Sequence, residues 1–225
     1  MSTHQHTGPH DHTGASLDRW TAGFWDDRYS TGETTWSGQV NRAVADEAAQ
    51  VAPGRALEVG CGTGADAVWL AEQGWQVVAT DVSDVALQRG EAAALEHDAE
   101  AAGRITWEQH DLLAWVPEPR SFELVTAAFF QLPPDPRRRV YAALADAVTP
   151  GGSLLLVLHD VIDLENGIPR PPEPDMFPKV EELVAELPRD QWEVVTAESR
   201  PRPGTLPDGS EVILHDAVLR AVRAG

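Results

Sequence analysis

The chain has 225 residues, enough for one substantial core and short of what two ordinary domains need. Its formal net charge of -19 repels phosphate backbones and anionic lipid, which argues against nucleic acid as a partner. A single cysteine, Cys61, excludes an intramolecular disulfide, and the longest apolar stretches, such as residues 154–158, fall far short of the ~20 residues that cross a bilayer.

Residues 1–16 mix His, Thr, Gly and Pro with almost no apolar side chains, and a disordered tail is expected there. It holds no basic stretch followed by an apolar run, so a cytoplasmic location without membrane attachment is expected. Its two His-X-His pairs, His4/His6 and His10/His12, can capture a metal in vitro. Closing such a site costs a flexible segment much entropy, and no metal centre is expected. Residues 17–52 read as an aromatic cap. Trp20, Phe24, Trp25, Tyr29 and Trp36 spread over a helix and loop, and a helical stripe of Val40, Ala43, Val44, Ala48 and Val51 ends at Pro53-Gly54. Strand and helix then alternate through residue 160. Strands are expected at 56–59, 76–80, 105–109, 122–129 and 153–159, with helices at 65–73, 84–102 and 136–148. Crossovers of this length make parallel βαβ units covered on both faces, hence a doubly wound α/β fold. Over 161–225, a loop precedes a helix at 180–187. Strands at 192–197 and 212–222 then form an antiparallel hairpin through the turn signals Pro203-Gly204 and Asp208-Gly209. Residues 17–225 are read as one domain with no internal repeat.

The stretch Leu57-Glu58-Val59-Gly60-Cys61-Gly62-Thr63-Gly64-Ala65-Asp66 lies between a strand and a helix. There glycines let the backbone approach a ligand and helix N–H groups face an anion. Gly60, Gly62 and Ala65 also satisfy a relaxed dinucleotide fingerprint, so a nicotinamide-dependent oxidoreductase is one alternative. Glu58 and Asp66 count against it, because two carboxylates would repel a pyrophosphate. They suit S-adenosylmethionine, which presents an ammonium, a sulfonium and one carboxylate. Asp81 ends the second strand, where a carboxylate accepts both ribose hydroxyls or merely caps a helix. Asp111 either accepts from the adenine amino group, with Val82 and Leu112 sandwiching the ring, or caps. Cys61 needs only to be small there, and a nucleophilic role is not expected.

The glycine loop, Asp81, Asp111 and Pro150-Gly151-Gly152 before a strand resemble the successive motifs of class I S-adenosylmethionine-dependent methyltransferases. The resemblance covers about residues 56–159. It implies a Rossmann-like seven-stranded sheet, mostly parallel with an antiparallel last strand, and an enzyme that methylates a small molecule. Trp25-Asp26-Asp27-Arg28-Tyr29, followed by Trp36-Ser37-Gly38 and Asn41, is similar to the N-terminal signature of the tellurite-resistance and thiopurine methyltransferase-like group. Trp25, Tyr29 and Trp36 then form a lid over the cofactor or simply pack on the sheet. Arg28 either holds a carboxylate or is solvated.

Ligands of open α/β sheets bind outside the carboxyl ends of the strands. The acceptor is therefore expected against Phe129, Phe130 and Gln131 after the fourth strand, and His159 and Asp160 after the fifth, under a loop at 168–178. His159 is either a general base or a packed strand cap. Where relatives often carry His, this chain has Gln131, which cannot take a proton. That departure favours an acceptor already nucleophilic, a thiolate or reduced chalcogen, over an oxygen or nitrogen acceptor. A cofactor-binding protein without catalysis is the remaining alternative. The oligomeric state stays open.

Overall fold

A computed structural model describes residues 20–31, 38–170, 174–206 and 208–225. The expected tail at 1–16, with its histidine pairs, and Trp36 lie outside these residues. Among the described residues seven strands make one sheet: β1 (Arg55–Val59), β2 (Gln76–Asp81), β3 (Ile105–Gln109), β4 (Phe122–Ala128), β5 (Val148–His159), β6 (Trp192–Thr205) and β7 (Glu211–Arg223). Their order is β3-β2-β1-β4-β5-β7-β6. β1 pairs in parallel with β2 and β4, β2 with β3, and β4 with β5, whereas β7 runs antiparallel to both β5 and β6. The strand order reverses between β1 and β4, and the crevice of an open sheet lies at such a switch point.

The described residues form eight α-helices around the sheet: α1 (Ala22–Thr31), α2 (Arg42–Ala48), α3 (Ala65–Glu72), α4 (Asp84–His97), α5 (Ala99–Ala102), α6 (Pro134–Ala147), α7 (Ile162–Glu165) and α8 (Val180–Glu186). The two-residue period of the strands sorts the core into two layers. On one face Leu57, Val59, Leu154, Leu156 and Leu158 pack with Tyr141 and Leu144 of α6 and Leu183 of α8. On the other, Ala56, Leu124, Leu155 and Val157 pack with Val44 of α2, Leu70 of α3 and Trp75. Among the described residues no helix is long and apolar enough to cross a membrane.

Several boundaries differ from expectation. The helix expected over 84–102 breaks at Asp98, whose backbone is extended and whose carboxylate accepts from the Glu100 and Ala101 N–H groups. An Asp that binds its own downstream amides starts a new helix instead of continuing the old one. Pro203-Gly204 is not a turn: both residues pair with β7, opposite Ile213 and Val212, and the chain turns only around Asp208-Gly209. Proline is tolerated there because β6 is the edge strand. α6 begins at Pro134, two residues earlier than expected, and the short helix α7 falls where a loop was expected.

Candidate active site

A cavity of about 710 Å³ opens beside the glycine turn at the carboxyl ends of β1, β2 and β4. Gly62 and Gly64 hold φ of +54° and +75°. A Cβ on Gly62 would lie 2.6 Å from the Tyr29 hydroxyl, and one on Gly64 would lie 2.2 Å from the Trp107 ring. Glycine is thus demanded both by the backbone and by the space. The Cys61 N–H donates to the Thr80 carbonyl at 3.0 Å and the Gly62 N–H to Asp81 Oδ2 at 2.8 Å, which ties the turn to β2.

Three carboxyl side chains converge on this turn: Glu58, Asp66 and Asp81 line the cavity and all are buried. Asp81 also accepts from the Ser83 N–H at 2.9 Å through Oδ1. The N-cap of α4 is Ser83, whose Oγ accepts from the Ala86 N–H at 3.1 Å, so Asp81 is not the cap. Two backbone donors leave part of the carboxylate's roughly four lone-pair positions for a ligand. Burial raises the Asp81 pKa, partly offset by those N–H groups. Asp66 Oδ1 accepts from the Asn41 N–H at 2.6 Å, and burial still pushes its pKa up to about 6. Glu58 Oε2 is buried with no hydrogen-bond partner. Burial, then the charges of Asp66 and Asp81, hold Glu58 well above the usual carboxylate range. A desolvated acidic cradle with an orphaned oxygen fits a cationic ligand and opposes a pyrophosphate.

Trp25 and Tyr29 of α1 line the same cavity, with Val82, Asp111 and Leu112 from the loops after β2 and β3, and Phe129 and Phe130 after β4. Cys61 lines it too, its thiol pushed up by burial and by the neighbouring Glu58, which argues against a thiolate nucleophile. Asp111 Oδ1 accepts from the Leu113 N–H at 2.9 Å, so the turn-capping role read from the sequence is real, and Asp111 is exposed to the cavity as well. Phe129 takes a left-handed backbone, φ +57°.

The acceptor end differs from expectation at His159 and Asp160. His159 does not line the cavity; its ring stacks on Phe129 at 4.2 Å, and burial lowers its pKa despite Asp216 Oδ1 at 3.9 Å. Asp160 is also outside it: Oδ1 accepts from the Ile162 N–H at 3.0 Å and shapes the entry to α7. Gln131 reaches the cavity, but its amide donates to the carbonyls of Met176 at 3.2 Å and His159 at 3.4 Å, so it fastens two loops. The Gln131 backbone carbonyl accepts from the Trp20 indole N–H at 3.1 Å. Trp20, from the aromatic N-terminal segment, lines the cavity as expected, whereas Gln39, Asn41, Arg42 and Arg202 are lining residues that the sequence did not place at the site. Asn41 was detectable as an N-cap, accepting from the Ala43 and Val44 N–H groups. Arg202 gave no signal, because the strand was expected to end at 197. It reaches the cavity on the extension of β6, bonded through Nε to Asp216 Oδ2 at 2.7 Å with its guanidinium 5.4 Å from the centre of the Phe129 ring.

Residues 20–200 match the family model for thiopurine S-methyltransferase. The ubiquinone biosynthesis O-methyltransferase of Alkalilimnicola ehrlichii is 36% identical over 151 residues, covering 65% of this chain and 58% of that protein. Thiocyanate methyltransferase 1 of Brassica oleracea is 28% identical over 152 residues, covering 65% and 66%. The match thus spans less than two thirds of either relative. Among solved structures, TehB from Haemophilus influenzae superposes with a TM-score of 0.66 at 17% identity, over 89% of this chain and 67% of that one. The glycopeptide N-methyltransferase MtfA complexed with S-adenosylmethionine gives 0.62 at 20% identity, over 83% and 88%. At such identities the likeness is one of fold.

Proposed function

The chain belongs to the thiopurine S-methyltransferase family, whose cofactor is S-adenosylmethionine, and on that premise we propose that it methylates a small soft nucleophile, a thiol or reduced chalcogen. The carrying observation is the acidic cradle at the glycine turn, with the buried, unpartnered Glu58 Oε2 at its centre. Membership of this family removes the oxidoreductase alternative.

When bound, S-adenosylmethionine supplies a methyl carbon activated by an adjacent sulfonium. Glu58 and Asp66 would hold the cationic amino-acid end, while the glycine-turn amides would receive its carboxylate. Asp81 would offer its remaining lone pairs to the ribose hydroxyls, and Val82, Leu112 and Asp111, which line the same cavity, would receive the adenine. Trp25 and Tyr29 would exclude water from the bound cofactor, strengthening the electrostatics of the cradle. Phe129 and Phe130 would orient the acceptor, and orientation supplies much of the acceleration of an in-line displacement.

The preference for sulfur or another chalcogen rests on proton traffic. Gln131 takes no proton and is fastened to two carbonyls, and His159 sits outside the cavity behind its stack with Phe129. An alcohol or amine acceptor needs a base, whereas a thiol with a pKa of about 8.5 supplies its own thiolate near neutral pH. The thiocyanate methyltransferase relative points the same way. The rival oxygen acceptor draws on the O-methyltransferase relative. Two measurements test the reading. Calorimetric titration with S-adenosylmethionine should show binding to the wild type, weakened in Asp81→Ala by about 1–3 kcal/mol. A panel of matched thiols, alcohols and amines should then yield thioether products at rates at least about a hundredfold above the others. Oxygen methylation at comparable rates refutes the preference, and binding without any product refutes catalysis.

A further inference from the structure

α1 carries two aromatic walls of the cavity yet none of its residues is fully buried, Phe24, Trp25 and Tyr29 being only half-buried, so hydrophobic packing alone fixes its position weakly. Polar contacts hold it. Asp26 Oδ1 accepts from Ser83 Oγ at 2.6 Å and from the Val85 N–H at 3.3 Å, and Arg89 donates to the Tyr29 carbonyl. Val85 lies in the first turn of α4, where backbone N–H groups lack helical partners and the helix dipole favours an anion. Ser83 is shared: its Oγ also takes the Ala86 N–H, and its own N–H donates to Asp81 Oδ1. A relay from Asp26 through Ser83 to Asp81 therefore joins the lid helix to the carboxylate assigned to the ribose. The Tyr29 hydroxyl rests against Gly62, where even a Cβ would come within 2.6 Å. A small rotation of α1 therefore changes the shape of the cofactor cradle.

Resting on the reading of the cavity as the S-adenosylmethionine site, we infer that Asp26 is a positioning residue that sets α1 over the cofactor and, through Ser83, orients Asp81. The carboxylate touches no part of the cavity itself. It acts through Trp25 and Tyr29 on one side and Asp81 on the other.

The test uses the full chain with Asp26→Ala, Asp26→Asn and, as control, Asp27→Ala at the exposed neighbouring position. Calorimetry with S-adenosylmethionine is combined with hydrogen exchange of residues 22–31 and thermal melts without cofactor. Loss of a charge-assisted anchor should weaken binding about tenfold or more in Asp26→Ala. Exchange in α1 should quicken and no longer slow on cofactor addition, with the melting temperature within about 2 °C because no core contact is lost. Asp26→Asn keeps an acceptor oxygen and should remain within about fivefold of wild type, and Asp27→Ala should match wild type. Wild-type affinity in Asp26→Ala overturns the inference. So does a weakening that comes with faster exchange throughout the sheet, which marks a merely structural role. Failure of the wild type to bind S-adenosylmethionine overturns the reading of the cavity itself, and the two failures are thereby distinguished.

Discussion

Asp66→Asn separates what the cradle costs the fold from what it contributes to binding. Asp66 is 8% exposed, and burial lifts its pKa from 3.8 to about 6. At 1.36 kcal/mol per unit, keeping the side chain ionised costs the folded state about 3 kcal/mol at neutral pH. Because the folded pKa is the higher one, the folded protein binds this proton more tightly than the unfolded chain does. The penalty is absent below about pH 3.8, grows toward pH 6 and is complete above it. Asparagine keeps an oxygen for the Asn41 N–H and carries no charge. It forfeits about 1 kcal/mol of charge-assisted bonding and helix-dipole stabilisation at the first turn of α3. The net expectation is a gain of about 1–2 kcal/mol at pH 7.5, or about 2–8 °C in melting temperature for a chain of this size. That gain should vanish or reverse at pH 4, and binding of S-adenosylmethionine should weaken. Thermal melts at the two pH values, without cofactor, decide the matter. A lower melting temperature at pH 7.5, or an equal rise at both, would refute the reasoning.

Other substitutions probe other parts of the argument. Gly64→Ala meets both the +75° φ and the Trp107 ring, and should cost at least about 2–3 kcal/mol by chemical denaturation; a stabilised variant would contradict the packing described. His159→Gln should change turnover of thiol acceptors less than about threefold, since a base contributes about a hundredfold or more. Neutral burial of His159 contributes stability that is complete above the ordinary pKa of 6.5 and lost as pH falls below it. The variant should therefore be less acid-sensitive between pH 6.5 and 5. Glu47 accepts from Arg200 at 2.6 Å, Thr196 at 2.8 Å and Arg220 at 2.9 Å, fastening α2 to β6 and β7. Glu47→Ala leaves the buried Arg220 with only the neutral Gln50 oxygen at 3.0 Å and should cost about 3 kcal/mol, visible as a large drop in melting temperature; a loss under about 1 kcal/mol would show that solvent replaces the network.

The order of strands and helices and the glycine turn with its acidic neighbours were legible in the residues alone. These features are local: a two-residue or 3.6-residue apolar period and a run of glycines imprint themselves on consecutive positions whatever the rest of the chain does. Glu58, Asp66 and Asp81 could be named because the βα unit fixes where the ends of its strands point. The acceptor end was only partly legible, for the opposite reason. Whether His159 faces the cavity depends on the stack with Phe129, and whether Gln131 is free depends on the Met176 carbonyl 45 positions away. Arg202 enters only because β6 extends along β7 to Thr205, paired strand to strand past two prolines that read as loop. Long-range pairing and burial decide these placements. They depend on which distant side chains meet, and no stretch of neighbouring residues encodes that by itself.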